Sequence, residues 1–454
     1  STSPLQFGNY RPTCNPIHFP PKMHRPPSRL RRLPLRFPRR FLQVAGLITL
    51  FPTGYRLSAQ DTTLTSDSSA PAPAPPSLLS GTSQLSSFTS PSDLLLSRTL
   101  FQWGPIRLRP HLTYRVTYGD GLQSQPGQQS KTLIQEVIPN FLFELGEKWT
   151  FSYTPAFRFY SDKNFKDSID HSLSLNGRTT YQDWSFGLSQ GYNRSSTPLV
   201  ETGAQTDQES FSTHLSAGHQ LSGKASLDLG VSQDIRLVGQ TSQPLGQNLG
   251  DSREWSTMDW LNYQFTPKFS GGLGAGFGYV QIGTDDIYER VQSRINWKVG
   301  SKLNLGLTAG LEARQFLDSN QPGLLNPIFS ASLQYQLFEA TSLSLSASRS
   351  VNSSYFANQI TENTSLDFSV SQRLFAKLFF TAGFGIGTTD YIGATAAAST
   401  GRKDDYTHYN FGLSMPFLKR GTASVFYSAT DNSSGQSGFG YSSTQMGLEL
   451  GYQF

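Results

Sequence analysis

The residue types that could carry chemistry are few and dispersed. There is one cysteine, Cys14, and there are seven histidines. A Ser, His and acid set needs its members side by side near one rim. His111 and His214 share one strand parity, His171 and His219 the other, and serine is common enough for any apparent triad to be coincidence. Catalysis is therefore not expected. No His or Cys pair has ligand spacing, and Asp285–Asp286 and Asp404–Asp405 read as solvated loop carboxylates rather than calcium ligands, so neither metal nor cofactor is expected. The stretch GGLGAGFG from Gly271 superficially resembles a phosphate loop. Its Gly272, Gly274, Gly276 and Gly278 recur at every second position, however, as strand residues do where curvature or space is needed. The most suggestive set is basic: Arg290, Arg294 and Lys298 on one alternating segment, with Arg314 on the next. Such a ladder would attract anionic solutes. The plainer reading, which weighs more, is that these side chains cross-pair with acids on adjoining strands.

The elements that must position these residues are strands. In RLRPHLTYRVTY from Arg107, Leu108, Pro110, Leu112, Tyr114, Val116 and Tyr118 alternate with polar residues over about eleven positions, the length of a tilted membrane-crossing strand. The same period recurs from Trp149 (Phe151, Tyr153, Pro155, Phe157, Phe159) and from Ala225 (Leu227, Leu229, Val231). Roughly eighteen such segments start near Arg107, Thr132, Trp149, Ile169, Trp184, Ser210, Ala225, Trp255, Phe269, Glu289, Leu303, Ile328, Ser342, Asn363, Leu378, Thr407, Thr422 and Ser443. Sixteen would also close a barrel. Tight connections such as Gly146 to Lys148 and Gly300 to Lys302 alternate with longer polar ones such as GDGLQSQPGQQS from Gly119. That asymmetry belongs to barrels with short periplasmic turns and longer external loops. No external loop is long enough to be an obvious inward-folded constriction or a separate domain.

Composition agrees. The chain is 36% hydrophobic, 15% charged and 13% aromatic with 41 glycines, and it lacks an apolar run near the 18 residues that a membrane helix needs. The net charge of +5 is uneven. Ten of the 37 basic residues precede the first acid, Asp61, which leaves 27 against all 32 acids. A nucleic-acid partner is thus not expected. The basic stretch, the apolar run Phe41 to Phe51 and the small residues before Gln60 order themselves as a secretory signal, with cleavage expected near Ala59 or Gln60. Met23 is a plausible true start. Residues 1–60 read as presequence, 61–100 as a Pro/Ser-rich disordered periplasmic linker, and 101–454 as the barrel. Leu94, Leu95 and Leu96 offer a segment that would plug the lumen.

A barrel this wide leaves an aqueous lumen, so its apolar face must meet lipid. Trp149, Trp184, Phe265, Trp297 and Phe417 sit beside tight turns, where an interfacial girdle belongs. The last segment alternates Met446, Leu448, Leu450, Tyr452 and Phe454 with polar residues. It is similar to the C-terminal strand by which the barrel-assembly machinery reads outer-membrane proteins. From residue 100 onward the pattern resembles the outer-membrane β-barrel porin family of Gram-negative bacteria. The resemblance implies an all-β, up-and-down antiparallel barrel that passes small hydrophilic solutes by passive diffusion. Charged residues of lumenal parity are nearly balanced, and no ion preference follows. Export of an anionic exopolysaccharide and a non-conducting surface scaffold or adhesin are the competing expectations.

Overall fold

The computed structural model describes residues 101–239, 248–317, 319–375, 377–394 and 401–454. The presequence, the linker and the Leu94 segment lie outside them. A short strand β1 (Phe101–Trp103) precedes β2 (Ile106–Gln125), β3 (Gln128–Leu145), β4 (Trp149–Tyr160), β5 (Ser168–Tyr181) and β6 (Trp184–Leu199). Next come β7 (Ala204–Gln220), β8 (Ala225–Val238), β9 (Ser252–Thr266), β10 (Phe269–Gln281), β11 (Asp286–Val299) and β12 (Leu303–Phe316). The chain continues through β13 (Leu324–Phe338), β14 (Thr341–Ser353), β15 (Gln359–Leu374) and β16 (Leu378–Gly393). It closes with β17 (Lys403–Phe417), β18 (Gly421–Ser434) and β19 (Tyr441–Gln453).

Each strand pairs antiparallel with the next, and β19 returns to β2 in register from Gln453↔His111 to Thr444↔Asp120. The sheet has 19 strands, and without β1, which only skirts the start of β2, eighteen form the closed barrel. Closure follows from the solvent. A backbone N–H or C=O left unpaired in hydrocarbon costs several kcal/mol, so a membrane sheet can have no edge.

Alternation turns the apolar set outward. Leu112, Tyr114 and Tyr118 on β2, Leu273 and Phe277 on β10, and Met446, Leu448 and Leu450 on β19 are all exposed, a pattern that only lipid can satisfy. The expected girdle residues occupy strand ends at the tight turns. Trp149 and Trp184 begin β4 and β6, Phe417 ends β17, and Phe265 and Trp297 are about half exposed near the ends of β9 and β11.

The opposite end differs from expectation. The stretches from Gly119 and Ser195, read as loops, are mostly strand: β2 and β3 run 20 and 18 residues and β6 and β7 run 16 and 17, well beyond a membrane span of about 9–11. The surplus bends inward. At Gly121, φ is +76°, and a Cβ there would stand 1.9 Å from the Ser442 carbonyl oxygen, so only glycine fits. The accompanying register shift between Gly119 and Leu122 turns Leu122 into the mouth, where it is fully buried.

Candidate functional site

The lumen wall is lined by coupled ion pairs. On one side Arg115 holds Glu449 (2.5 Å) and Glu136 (3.3 Å), and Arg158 holds Glu136 (2.8 Å) and Asp170 (2.7 Å). On the other side lies the predicted basic ladder. Arg290 reaches Glu312 at 2.6 Å, Arg294 reaches Asp228 at 2.6 Å, and Arg314 bridges Glu312 and Asp286 at 2.9 Å each. Arg314, Glu312 and Asp286 are almost wholly buried. Lys298 stands apart, exposed and outside any ion pair among the described residues. Three of the four ladder residues thus hold acids, and their charge is largely neutralised within the wall.

Glycines make room for this arrangement. A Cβ on Gly278 would lie 2.1 Å from the Tyr288 ring, and one on Gly274 would lie 2.6 Å from the Trp260 indole. Both rings lie flat over the gaps. Arg290 and Arg314 then stack on Tyr288 at 4.3 and 4.7 Å, and Arg294 on Trp260 at 4.4 Å. The GGLGAGFG stretch therefore serves ring packing on a lumenal wall and not a phosphate cradle.

The mouth overturns one expectation outright. Several short connections, none of them long alone, converge across it. Glu201, in the β6–β7 turn, accepts hydrogen bonds from the Ser354 hydroxyl and the Tyr355 N–H at 2.6 Å each, both in the β14–β15 connection. Arg402, before β17, donates to the Glu201 backbone carbonyl at 2.8 Å and holds Asp404. Arg236, near the end of β8, donates to the Ser354 carbonyl and stacks on the Tyr355 ring at 4.0 Å. Backbone bonds run from Gly250 to Tyr355, from Asn358 to Ile282 and from Ala394 to Asn358.

Between these polar ties sits a small apolar core of Leu199, Val238, Leu249, Tyr355, Phe356 and Phe439. Phe356 and Phe439 meet edge-on at 6.2 Å, and Arg402 lies 3.9 Å over the Phe439 ring. This cap belongs to neither face of the sheet. Its residues escaped the sequence reading because each connection contributes only one or two side chains to it. The pair Tyr355–Phe356 inside a polar loop was the one visible signal.

Other candidates resolve differently from their sequence reading. Asp286 and Asp404 are buried and paired with Arg314 and Arg402, not solvated. Their neighbours Asp285 and Asp405 accept from Tyr279 (2.5 Å) and Thr388 (2.8 Å). His214 pairs with Ser232 in the lumen, whereas His219 stacks on Trp184 at 4.6 Å on the outer face. Among the described residues no three His, Cys, Asp or Glu side chains gather as a metal site would require.

A closed eighteen-strand barrel with an apolar outside, a charged lumen and loops folded over one mouth has the build of an outer-membrane β-barrel. Residues 284–454, which comprise β11 to β19, match the sequence model of the family described as "Putative beta-barrel porin 2". No curated protein matches the chain significantly. Among solved structures it is similar to OpdO of Pseudomonas aeruginosa, with 14% identity, a TM-score of 0.43, and 76% of this chain and 97% of that one covered. It is also similar to OccK2 (OpdF) of the same organism in complex with glucuronate, with 12% identity, a TM-score of 0.44 and 76% and 98% covered. OccAB3 of Acinetobacter baumannii gives 11% identity, a TM-score of 0.42 and 76% and 99% covered.

Proposed function

We propose that the barrel passes small hydrophilic solutes across the outer membrane by passive diffusion, and that the cap limits which solutes enter. The observation that carries the reading is the combination of a charge-balanced lumen with a cap built across one mouth. A neutralised wall holds no ion strongly enough to trap it, as conduction requires. The apolar core between Leu199 and Phe439 narrows the way in. Because Arg290, Arg294 and Arg314 already hold acids, they do not form the free positive row that an anionic-polysaccharide exporter would use. The lipid-facing residues Met446, Leu448, Leu450 and Tyr452 of β19 form the segment through which assembly machinery would recognise the chain.

Planar-bilayer recording on purified protein tests the function. The expected result is small, weakly ion-selective steps that grow when the cap is opened by substitution. A protein that folds but gives no conductance, with or without an intact cap, would overturn it.

A further inference from the structure

The ion-paired wall stops short of the turn-end rim. There the residue before a returning strand continues that strand's register, because its carbonyl accepts the N–H of a lumen-facing residue on the strand beyond. The Arg178 N–H donates to the Lys148 carbonyl at 3.0 Å and the Lys298 N–H to the Lys268 carbonyl at 2.8 Å, so two like-charged pairs face each other across β4–β5 and β10–β11. The carbonyls of Lys224, Lys302 and Arg420 accept in the same way from Gln264, Gln336 and Gln453, and the Arg373 N–H donates to Ala340. Alternation sets all these side chains on the inner face, back to back with Trp149, Phe269 and Trp297 of the outer belt.

Of these eight cations seven are exposed and Arg420 is half-buried, and none forms an ion pair among the described residues. Acids at this rim are fewer. Glu144 is taken up by Arg107 and Arg109 at 3.4 and 2.9 Å, which leaves Glu147, Asp183 and Glu339 in the turns.

Beneath the cap the sign reverses. Arg158, Arg290 and Arg314 are committed to carboxylates, and Arg236 to the Ser354 carbonyl. Asp234, of the same parity as Arg236, faces Glu254 across β8 and β9, and neither forms an ion pair among the described residues. The lumen is polarised along its axis, positive at the turn end.

Like charges directly across a strand pair cost stability, and among the described residues no carboxylate bridges Lys148 to Arg178 or Lys268 to Lys298. Neighbouring strands lie about 4.8 Å apart, well inside the roughly 8 Å over which physiological salt screens charge. A rim of one sign around a cleft gathers counter-ions. An anion with several charges can meet both members of a facing pair at once, which a single chloride cannot.

We propose, on the reading that solutes pass through the lumen, that the periplasmic opening is an electrostatic vestibule for small multivalent anions bearing several phosphate or carboxylate groups. Its facing pairs Lys148–Arg178 and Lys268–Lys298 hold such anions at the rim. One-sided block of the current depends on passage; binding at the rim does not.

The test uses the full chain folded into phosphatidylcholine vesicles and planar bilayers, with sodium tripolyphosphate as the probe. Tripolyphosphate should raise the heat-unfolding midpoint above that in sodium chloride of equal ionic strength. In bilayers it should block current at a concentration about tenfold lower from one side than from the other. The variant Lys148→Gln, Arg178→Gln, Lys268→Gln, Lys298→Gln should lose most of the rise and bring the two sides together. If that variant does not fold, Lys268→Gln with Lys298→Gln should move both readouts the same way by a smaller step. The loop-end control Lys131→Gln, Lys166→Gln, Lys403→Gln, whose lysines lie 3.0, 3.7 and 3.8 Å from Asp120, Asp207 and Asp390, should leave both unchanged. A folded protein without conductance removes the passage reading, and the midpoint rise alone then decides for or against the vestibule. Equal block from the two sides, no rise over sodium chloride, or a rise that survives the substitutions overturns the proposal.

Discussion

Arg402 and Glu201 lie 201 residues apart in the chain, yet the guanidinium of the first donates to the backbone carbonyl of the second at 2.8 Å, tying the β16–β17 connection to the β6–β7 turn over the lumen. Both residues are almost fully buried, and Asp404 and the Phe439 ring hold the guanidinium from the other sides. The contact carries no strand pairing, so the barrel closes with or without it.

The first prediction follows. Arg402→Ala strands Asp404 and the Glu201 carbonyl, a loss of about 3 kcal/mol confined to the cap. Single-channel conductance should rise, and proteolysis within residues 199–203 should quicken, while the heat-unfolding midpoint of the barrel stays nearly unchanged. Lys403→Ala, exposed and only loosely paired with Asp390, should do neither. Equal conductance in the Arg402 variant and the wild type would remove the cap from the permeation path.

A second prediction concerns pH. Burial pushes the Glu201 carboxyl above its usual range, and the hydrogen bonds from Ser354 and Tyr355 and the charges of Arg236 and Arg402 only partly offset this. A carboxyl whose pKa is higher in the closed cap than in an open, solvated one favours the closed cap when protonated. That stabilisation is full below the ordinary glutamate range and fades as pH rises through the raised value. Lowering the pH from neutral toward the ordinary range should therefore reduce the time spent in open states. Glu201→Gln keeps an acceptor for Ser354 and Tyr355 without the charge, and should be closed at all these pH values. Opening on acidification would contradict the assignment.

A third prediction tests the lumenal glycines. Gly278→Val places a side chain where Tyr288 lies, and displacing that ring unseats Arg290 and Arg314 together. Overpacking of this kind costs about 1–3 kcal/mol, visible as a lower unfolding midpoint. Gly300→Ala strains a turn with φ of +70° in open space and leaves those arginines seated. An unchanged midpoint in the Gly278 variant would mean that the ring has another place to go.

How far the fold could be read from the chain depends on which end of a strand is considered. The starts expected at Trp149, Trp184, Ala225, Phe269, Leu303 and Leu378 coincide with the observed ones. There a turn of two to four residues marks the place, and an interfacial aromatic begins the strand at Trp149, Trp184 and Phe269. At the other end the starts expected at Thr132, Ser210, Glu289 and Thr407 fall three to six residues late against Gln128, Ala204, Asp286 and Lys403. Strands that leave the membrane lose the apolar alternation but keep their backbone pairing, and side-chain pattern alone cannot register pairing. The cap was invisible for a related reason. Tyr355, Phe356, Leu249 and Phe439 come from three connections, and only the closed barrel brings them within reach of one another. The lumenal pairs were more accessible: Arg290 faces Glu312 directly across β11 and β12, as alternation required.

The fourth prediction separates the buried pairs from the one free cation of the ladder. Arg314→Met leaves Asp286 and Glu312 buried without their shared partner, and removing one member of such a set costs about 3–5 kcal/mol. Adding Asp286→Asn should return much of that stability, because Glu312 keeps Arg290 and the loss comes chiefly from the stranded Asp286 carboxylate and not from a missing attraction. Lys298→Gln touches no partner among the described residues, and its effect on stability should stay within about 0.5 kcal/mol. Its charge is nevertheless exposed on the lumenal side of β11, so its removal should move the reversal potential under a salt gradient toward cation preference. If Arg314→Met shifts the reversal potential more than Lys298→Gln while leaving stability intact, the charge of Arg314 acts on passing solutes and the pairing described for it does not hold in the working channel.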